Sequence, residues 1–244
     1  MYKWFFIGAF FLFSNFVFAQ VKCPDGQYLV RGHFRSGYIR SDGTYVSPTN
    51  VRSHCKAYTK VYEIWNSKFR NEPAKDWPHK KEVFKKWTEE ERERVLESLE
   101  ELPEEIWSKN VKGIYRSFKS REHPNPATSA DGTIVLYDNA FKKEFNLSRV
   151  LGHELSHQIY KDLSQEKRKD YGFTMNWFSF QNKYISRMDG YVQDDGRESP
   201  EEDFANNIEY YLFEPGELKK VTPNAYRWIQ THFGDKFKLR KGSQ

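Results

Sequence analysis

Leu151, Leu155 and Ile159 recur at i, i+4 and i+8, a spacing that lines one face of an α-helix. Asn146 or Ser148 is placed to cap that helix. A second apolar line, Phe204, Ile208 and Tyr211, follows Ser199-Pro200, a favourable helix start with serine as cap and proline behind it. Glu202, Asn206 and Glu209 share the opposite face, and Ala205 beside them is small enough for another helix to come close. Thr88-Glu89-Glu90-Glu91 is a capping box that opens a third helix. There Val95, Leu96, Leu99 and Leu102 face inward and Pro103 ends the run, with the charges read as a solvated face. A fourth helix is expected over residues 57–70, with Glu72-Pro73 to Trp77-Pro78 as a break.

Period-two and short apolar runs mark strands. Thr133-Ile134-Val135-Leu136-Tyr137, bounded by Asp131-Gly132 and Asp138-Asn139, reads as a buried strand. Residues 112–119, with Ile114, Tyr115 and Phe118, read as another, ahead of a proline-rich loop at His123-Pro124-Asn125-Pro126. Nearer the start, Tyr28-Leu29-Val30, Tyr38-Ile39 and Thr44-Tyr45-Val46 are short strands among turn signals. Residues 1–19 read as a removable leader: Lys3, an uncharged run from Trp4 to Phe18, and a small-residue end at Ala19. The run is shorter than the roughly 20 residues that cross a bilayer. An exported chain is expected, secreted or periplasmic/extracellular, with no membrane attachment after the leader is removed. Cys23 and Cys55, an even pair in an oxidising compartment, are expected to form one disulfide.

These elements predict an α+β fold. A small mixed sheet backs the helix that carries Leu151, Leu155 and Ile159, and the carboxy-terminal half is helical. A β-rich, disulfide-closed module spans 20–60 and a main domain 61–240, its motif-bearing core at 111–235. Aromatic content of 17% against only 38% hydrophobic residues supplies core area from few side chains. The formal charge of +5 falls by the one charge of Lys3 to +4, too small to demand nucleic acid. A monomer is expected. Within the module, Lys22, Arg31, Arg35, Arg40, Arg52, Lys56 and Lys60 oppose only Asp25 and Asp42. One reading is a grip on cell-wall material or another anionic polymer, the mark of an exported, non-catalytic binding protein; the plainer one is a solvated cap or a pro-segment. His33 and His54 are lone histidines, a type that is not usually a metal ligand. No internal repeat, phosphate-binding loop or Ser-His-Asp signature is present.

The chemistry concentrates at His153-Glu154-Leu155-Ser156-His157. Histidines four apart project from one helix face, where two neutral imidazoles can take two corners of a tetrahedral zinc site. Glu154 stands about 100° round the helix, placed to take a proton from water. A catalytic site needs a third protein ligand. Gln158 to Leu163 hold no further histidine, so the ligand comes from elsewhere: Glu202, or Glu201 if the helix register is shifted by one. Glu202 also has a plain role, bonding back to the Ser199 cap.

With Glu202-Asp203-Phe204-Ala205 downstream, the chain resembles the gluzincin group of zinc peptidases and, more narrowly, the catalytic domain of the anthrax lethal factor-like peptidases. The resemblance covers about residues 131–235, with Pro223-Asn224-Ala225-Tyr226-Arg227-Trp228 fitting the family's tail. It implies a zincin-like fold, one Zn²⁺ held by His153, His157 and Glu202, and Glu154 as general base in hydrolysis of a protein or peptide substrate. It also implies a tyrosine ahead of the ligand glutamate that stabilises the oxyanion, for which Tyr191 is the nearest candidate. Asn206 departs from the pattern, standing where such proteins often carry a glutamate, so a charged partner for a ligand histidine is expected to be missing. The strand 133–137 is expected to pair with an extended substrate by β-augmentation.

Overall fold

A computed structural model describes residues 22–40, 43–72, 83–118, 125–180, 183–185, 189–235 and 237–240. The expected leader at 1–19, Asp42, the break at 73–78, Lys119 and His123-Pro124 lie outside the described residues. Strands β1 (Gln27–Val30), β2 (His33–Arg35), β3 (Tyr38–Ile39), β4 (Tyr45–Val46), β5 (Thr49–Val51) and β6 (His54–Ala57) pair antiparallel as β1–β6, β2–β5 and β3–β4. The nesting makes one long interrupted ribbon, and the expected Cys23–Cys55 disulfide closes its open end. Alternation along the strands sends Phe34, Ile39 and Tyr45 to solvent and turns His33 and Tyr38 inward.

Three elements follow: α1 (Lys60–Trp65), β7 (Phe69–Arg70) and α2 (Glu89–Glu101). The helix expected over 57–70 is therefore cut to six residues. Ala57 pairs with Gln27 in the ribbon, Thr59 caps the helix by accepting from the Tyr62 amide, and Phe69-Arg70 pair in parallel with Ile114-Tyr115. Ladder pairing at both ends overrides local helix propensity. On α2 the capping box is complete, Thr88 and Glu91 each bonding the other's backbone. Its outer charges are not the solvated face that the pattern predicts. Glu90 accepts from the Ser36 amide (2.7 Å), His33 Nε2 lies 3.2 Å from Glu93, and the Tyr38 hydroxyl donates to Glu97 (2.8 Å). The ribbon docks on an acidic helix through these bonds, and the Lys56–Glu97 pair (3.8 Å) adds opposite charge to them.

The main sheet adds β8 (Gly113–Arg116), β9 (Ala127–Ala130) and β10 (Thr133–Leu136) in the order β7-β8-β10-β9, with β10 parallel to β8 and antiparallel to β9. The strand expected over 112–119 thus ends at Arg116. Asp131 (φ 47°) and Gly132 (φ 81°) make the two-residue turn between β9 and β10, both with positive φ as a type I′ hairpin requires. This topology corrects one expectation: β10 is an inner strand with both edges paired, so it cannot take up a substrate strand. The free edge beside it belongs to β9; among the described residues no strand pairs with its outer side.

Helix α3 (Leu147–Asp162) covers one face of the sheet. Leu151 and Leu155 are buried with Ile134 and Leu136 in the main core. Then come α4 (Gln165–Thr174), the hairpin β11 (Phe178–Phe180) and β12 (Lys183–Ile185), α5 (Pro200–Phe213), α6 (Pro215–Val221) and α7 (Pro223–Phe233). The apolar line of α5 packs into the same core, where Phe204 meets Tyr171 and Trp228 edge-on. The architecture is mixed α+β with a helical carboxy-terminal half. No helix among the described residues is long and apolar enough to cross a membrane.

Candidate metal centre

Local sequence fixes the two helices that carry the site. Asn146 caps α3 by accepting from the Arg149 amide (3.1 Å), while Ser148 donates instead to Glu101. On α5 the Ser199 hydroxyl accepts from the Glu202 amide (3.1 Å), and Pro200 occupies the first turn. Only half of a capping box forms there, because the Glu202 carboxylate is turned towards α3. Its Oε2 lies 3.6 Å from His153 Nε2 and 3.5 Å from His157 Nε2, and the two Nε2 atoms are 3.2 Å apart. These three residues could hold a metal ion.

The triangle can be tested against a metal. Ligands at about 2.0–2.2 Å from a tetrahedral ion sit roughly 3.3–3.6 Å from one another, which the three observed edges nearly match. The proton inventory agrees. His153 Nδ1 is 3.0 Å from Glu209 Oε2, and His157 Nδ1 is 3.2 Å from Glu201 Oε1. An ionised carboxylate only accepts, so each Nδ1 carries a hydrogen, and it is the Nε2 atoms that face inward. Once both Nε2 atoms are free of hydrogen, three acceptors converge with no donor among them, a set of groups that suits a cation. Glu154 supplies a third sign: it is buried, and among the described residues its Oε2 has no hydrogen-bond partner. A buried polar atom left unpaired costs free energy, which a ligand at the site would recover.

Electrostatics follow the same geometry. Burial disfavours a charged His153, but the Glu202 and Glu209 carboxylates outweigh it and push the imidazole up to about 10. Burial also works to raise Glu209, Glu202 and Glu201. Against it, His153 and Arg149 hold Glu209 below the usual carboxylate range, the two histidines do so for Glu202, and His157 with Lys161 do so for Glu201. Glu154 goes the other way: burial raises it above the usual range, against the pull of both histidines. A carboxyl buried in this way binds a proton more readily than an exposed one.

The sequence reading missed who orients the imidazoles. Asn206 does not do it; its Nδ2 donates to Asp195 (2.7 Å), tying the preceding loop to α5. The charged partner expected to be missing is present one turn further on, as Glu209, itself held by Arg149 and by Gln193 Nε2 (3.2 Å). Glu201 serves His157, which separates the two alternatives for the third ligand: Glu202 points into the triangle and Glu201 stands behind it. Asp203 is buried between Tyr171 (3.2 Å), Trp177 Nε1 (2.9 Å) and Asn207 (3.0 Å), fixing α5 against α4. Tyr191 lies on the loop entering α5, edge-on to Trp177 (6.1 Å between centroids) and beneath the Arg197 guanidinium (5.4 Å). His33 and His54 each have Nδ1 on a backbone carbonyl two residues back and join no ligand group among the described residues. Comparison with protein-family models, with curated proteins and with solved structures yields no match.

Proposed function

We propose that the chain is an exported zinc-dependent endopeptidase of the gluzincin kind. The observation that carries the reading is the convergence of His153, His157 and Glu202 beside the unpartnered oxygen of Glu154. Two imidazoles and a carboxylate form a donor set suited to Zn²⁺, which would supply a Lewis acid and bring the pKa of a water to roughly 7. The protein's own groups do the rest. Glu154, buried and raised in proton affinity, takes the proton from the attacking water and returns it to the departing amine nitrogen. Glu209 and Glu201 keep both imidazoles in the tautomer that turns Nε2 inward. The outer edge of β9 offers backbone groups to an extended polypeptide, the role that β10 cannot fill. Tyr191, on the loop beside α5, is the candidate for hydrogen-bonding the oxyanion. The disulfide suits an oxidising compartment outside the cytosol.

The test pairs metal analysis with peptide-library cleavage in wild type and Glu154→Gln. One zinc per chain is expected in both, with turnover only in wild type. Equal turnover would remove Glu154 as the base, and a folded wild type that binds no zinc would end the proposal.

A further inference from the structure

Gln158 follows the second histidine of the motif, and nothing in the chemistry above uses it. It is buried, at 2% exposure, on the side of α3 that meets the β9–β10 hairpin. Its Oε1 accepts from the Gly132 amide at 3.0 Å, which leaves Nε2 to donate to the Ser129 hydroxyl. The backbone donor fixes the orientation of the amide, since a flipped amide would oppose two N–H groups.

A buried amide is an expensive way to fill a helix–sheet seam. An apolar side chain of equal length would pack there without being desolvated. The amide instead reaches two points of the hairpin, the turn and the edge strand. The turn has another anchor: the Lys112 amide donates to the Gly132 carbonyl (2.6 Å). Ser129 is different. It sits within β9, opposite Ile134, and its hydroxyl is bonded from the residue next to the ligand His157. The edge strand and the metal helix are thereby tied one residue from the metal site.

We infer that Gln158 is a positioning residue: through Ser129 it sets the register of β9 against the His153–His157 pair, so that a polypeptide lying along β9 brings one of its peptide groups to the site. The inference rests on the peptidase reading and adds a substrate class, an extended chain of several residues rather than a di- or tripeptide. Its benefit grows with the number of substrate residues that pair with β9. A residue that merely stabilised the fold would affect all substrates alike.

The experiment uses the full chain loaded with zinc and a series of internally quenched peptides of increasing length that share one cleavable bond. Ser129→Ala removes the edge-strand contact and spares the turn; Gln158→Met removes both at similar volume. Both variants should keep one zinc per chain. For the longest peptides kcat/KM should fall about 10- to 100-fold, the scale of a displaced substrate, while the shortest cleaved peptide changes little. Amide exchange over 127–130 should quicken while that of 133–136 holds. An active wild type whose variants lose nothing, or lose equally at every length, overturns this inference alone. A wild type that cleaves no peptide of any length overturns the peptidase reading and this inference with it.

Discussion

Glu209 and Glu201 hold the two imidazoles from behind, but not on equal terms. The Glu209 side chain is 8% exposed and Glu201 is 32% exposed, so water competes far less for the bond from His153 than for that from His157. Arg149 also anchors Glu209 and is itself shared with Glu214, whereas besides His157 Glu201 meets the half-exposed Lys161 at 3.4 Å among the described residues. Glu209→Gln should therefore weaken zinc binding about 10- to 100-fold, the usual cost of losing an outer partner of a ligand histidine. Glu201→Gln should cost distinctly less, and a chelator-competition titration ranks the two. The reverse order would show that burial does not decide their strength. At this scale the candidate ligands are legible because their spacing is local: histidines four apart share a helix face, and Ser199-Pro200 sets the register of Glu202. Pairing Glu209 with His153 is not legible, since it depends on how far α5 slides along α3. That slide is fixed by packing around Phe204 and Ile208, not by either helix alone.

The β9–β10 hairpin shows what an element conceals in sequence. Ala127-Thr128-Ser129-Ala130 lacks the β-branched and aromatic density of a strand, so propensity passes over it. Yet Asp131-Gly132 ahead of a clear strand is a strong hairpin signal, and it would have placed a partner strand just upstream. The same oversight made β10 look like a free edge. In the 57–70 segment the error ran the other way: local helical character was real but lost both ends to ladder pairing. The turn gives a direct test. Gly132 has φ +81°, and a Cβ there would lie 2.4 Å from the Asn110 carbonyl oxygen. Gly132→Ala should lose about 1–3 kcal/mol through backbone strain. For a chain of this size each kcal/mol is worth roughly 2–4 °C of Tm. Asp131→Asn should be close to neutral, since asparagine also tolerates the left-handed region that Asp131 occupies (φ 47°). Thermal unfolding followed by circular dichroism checks both; a Gly132→Ala protein with wild-type Tm would mean the turn relaxes freely.

The whole molecule divides its stability between two sources, joined at α2. One face of that helix presents Val95, Leu99 and Leu102 to the core that carries α3 and α5. The other presents Glu90, Glu93 and Glu97 to the ribbon. The ribbon contributes few fully buried apolar side chains, Val30 among them, so its own core is too small to hold it. Its disulfide bridges a separation of 32 residues, which in the chain-entropy account is worth about 3–4 kcal/mol. That amount is large for the ribbon and small for the aromatic-rich core beyond α2. Replacing Cys23 and Cys55 by serine should therefore loosen the ribbon and spare the site. Amide exchange should quicken over 27–57, while zinc stoichiometry and peptide turnover stay at wild-type values, because among the described residues the ribbon's contacts fall on α2, on Tyr62 of α1 (3.7 Å from Tyr28 between centroids) and on Lys143, and not on His153, His157 or Glu202. If zinc and turnover were lost together with protection of the ribbon, the two parts would be one cooperative unit. The contacts on α2 would then transmit ribbon folding to the helix α3, and the ribbon would be a condition of activity rather than an appendage to it.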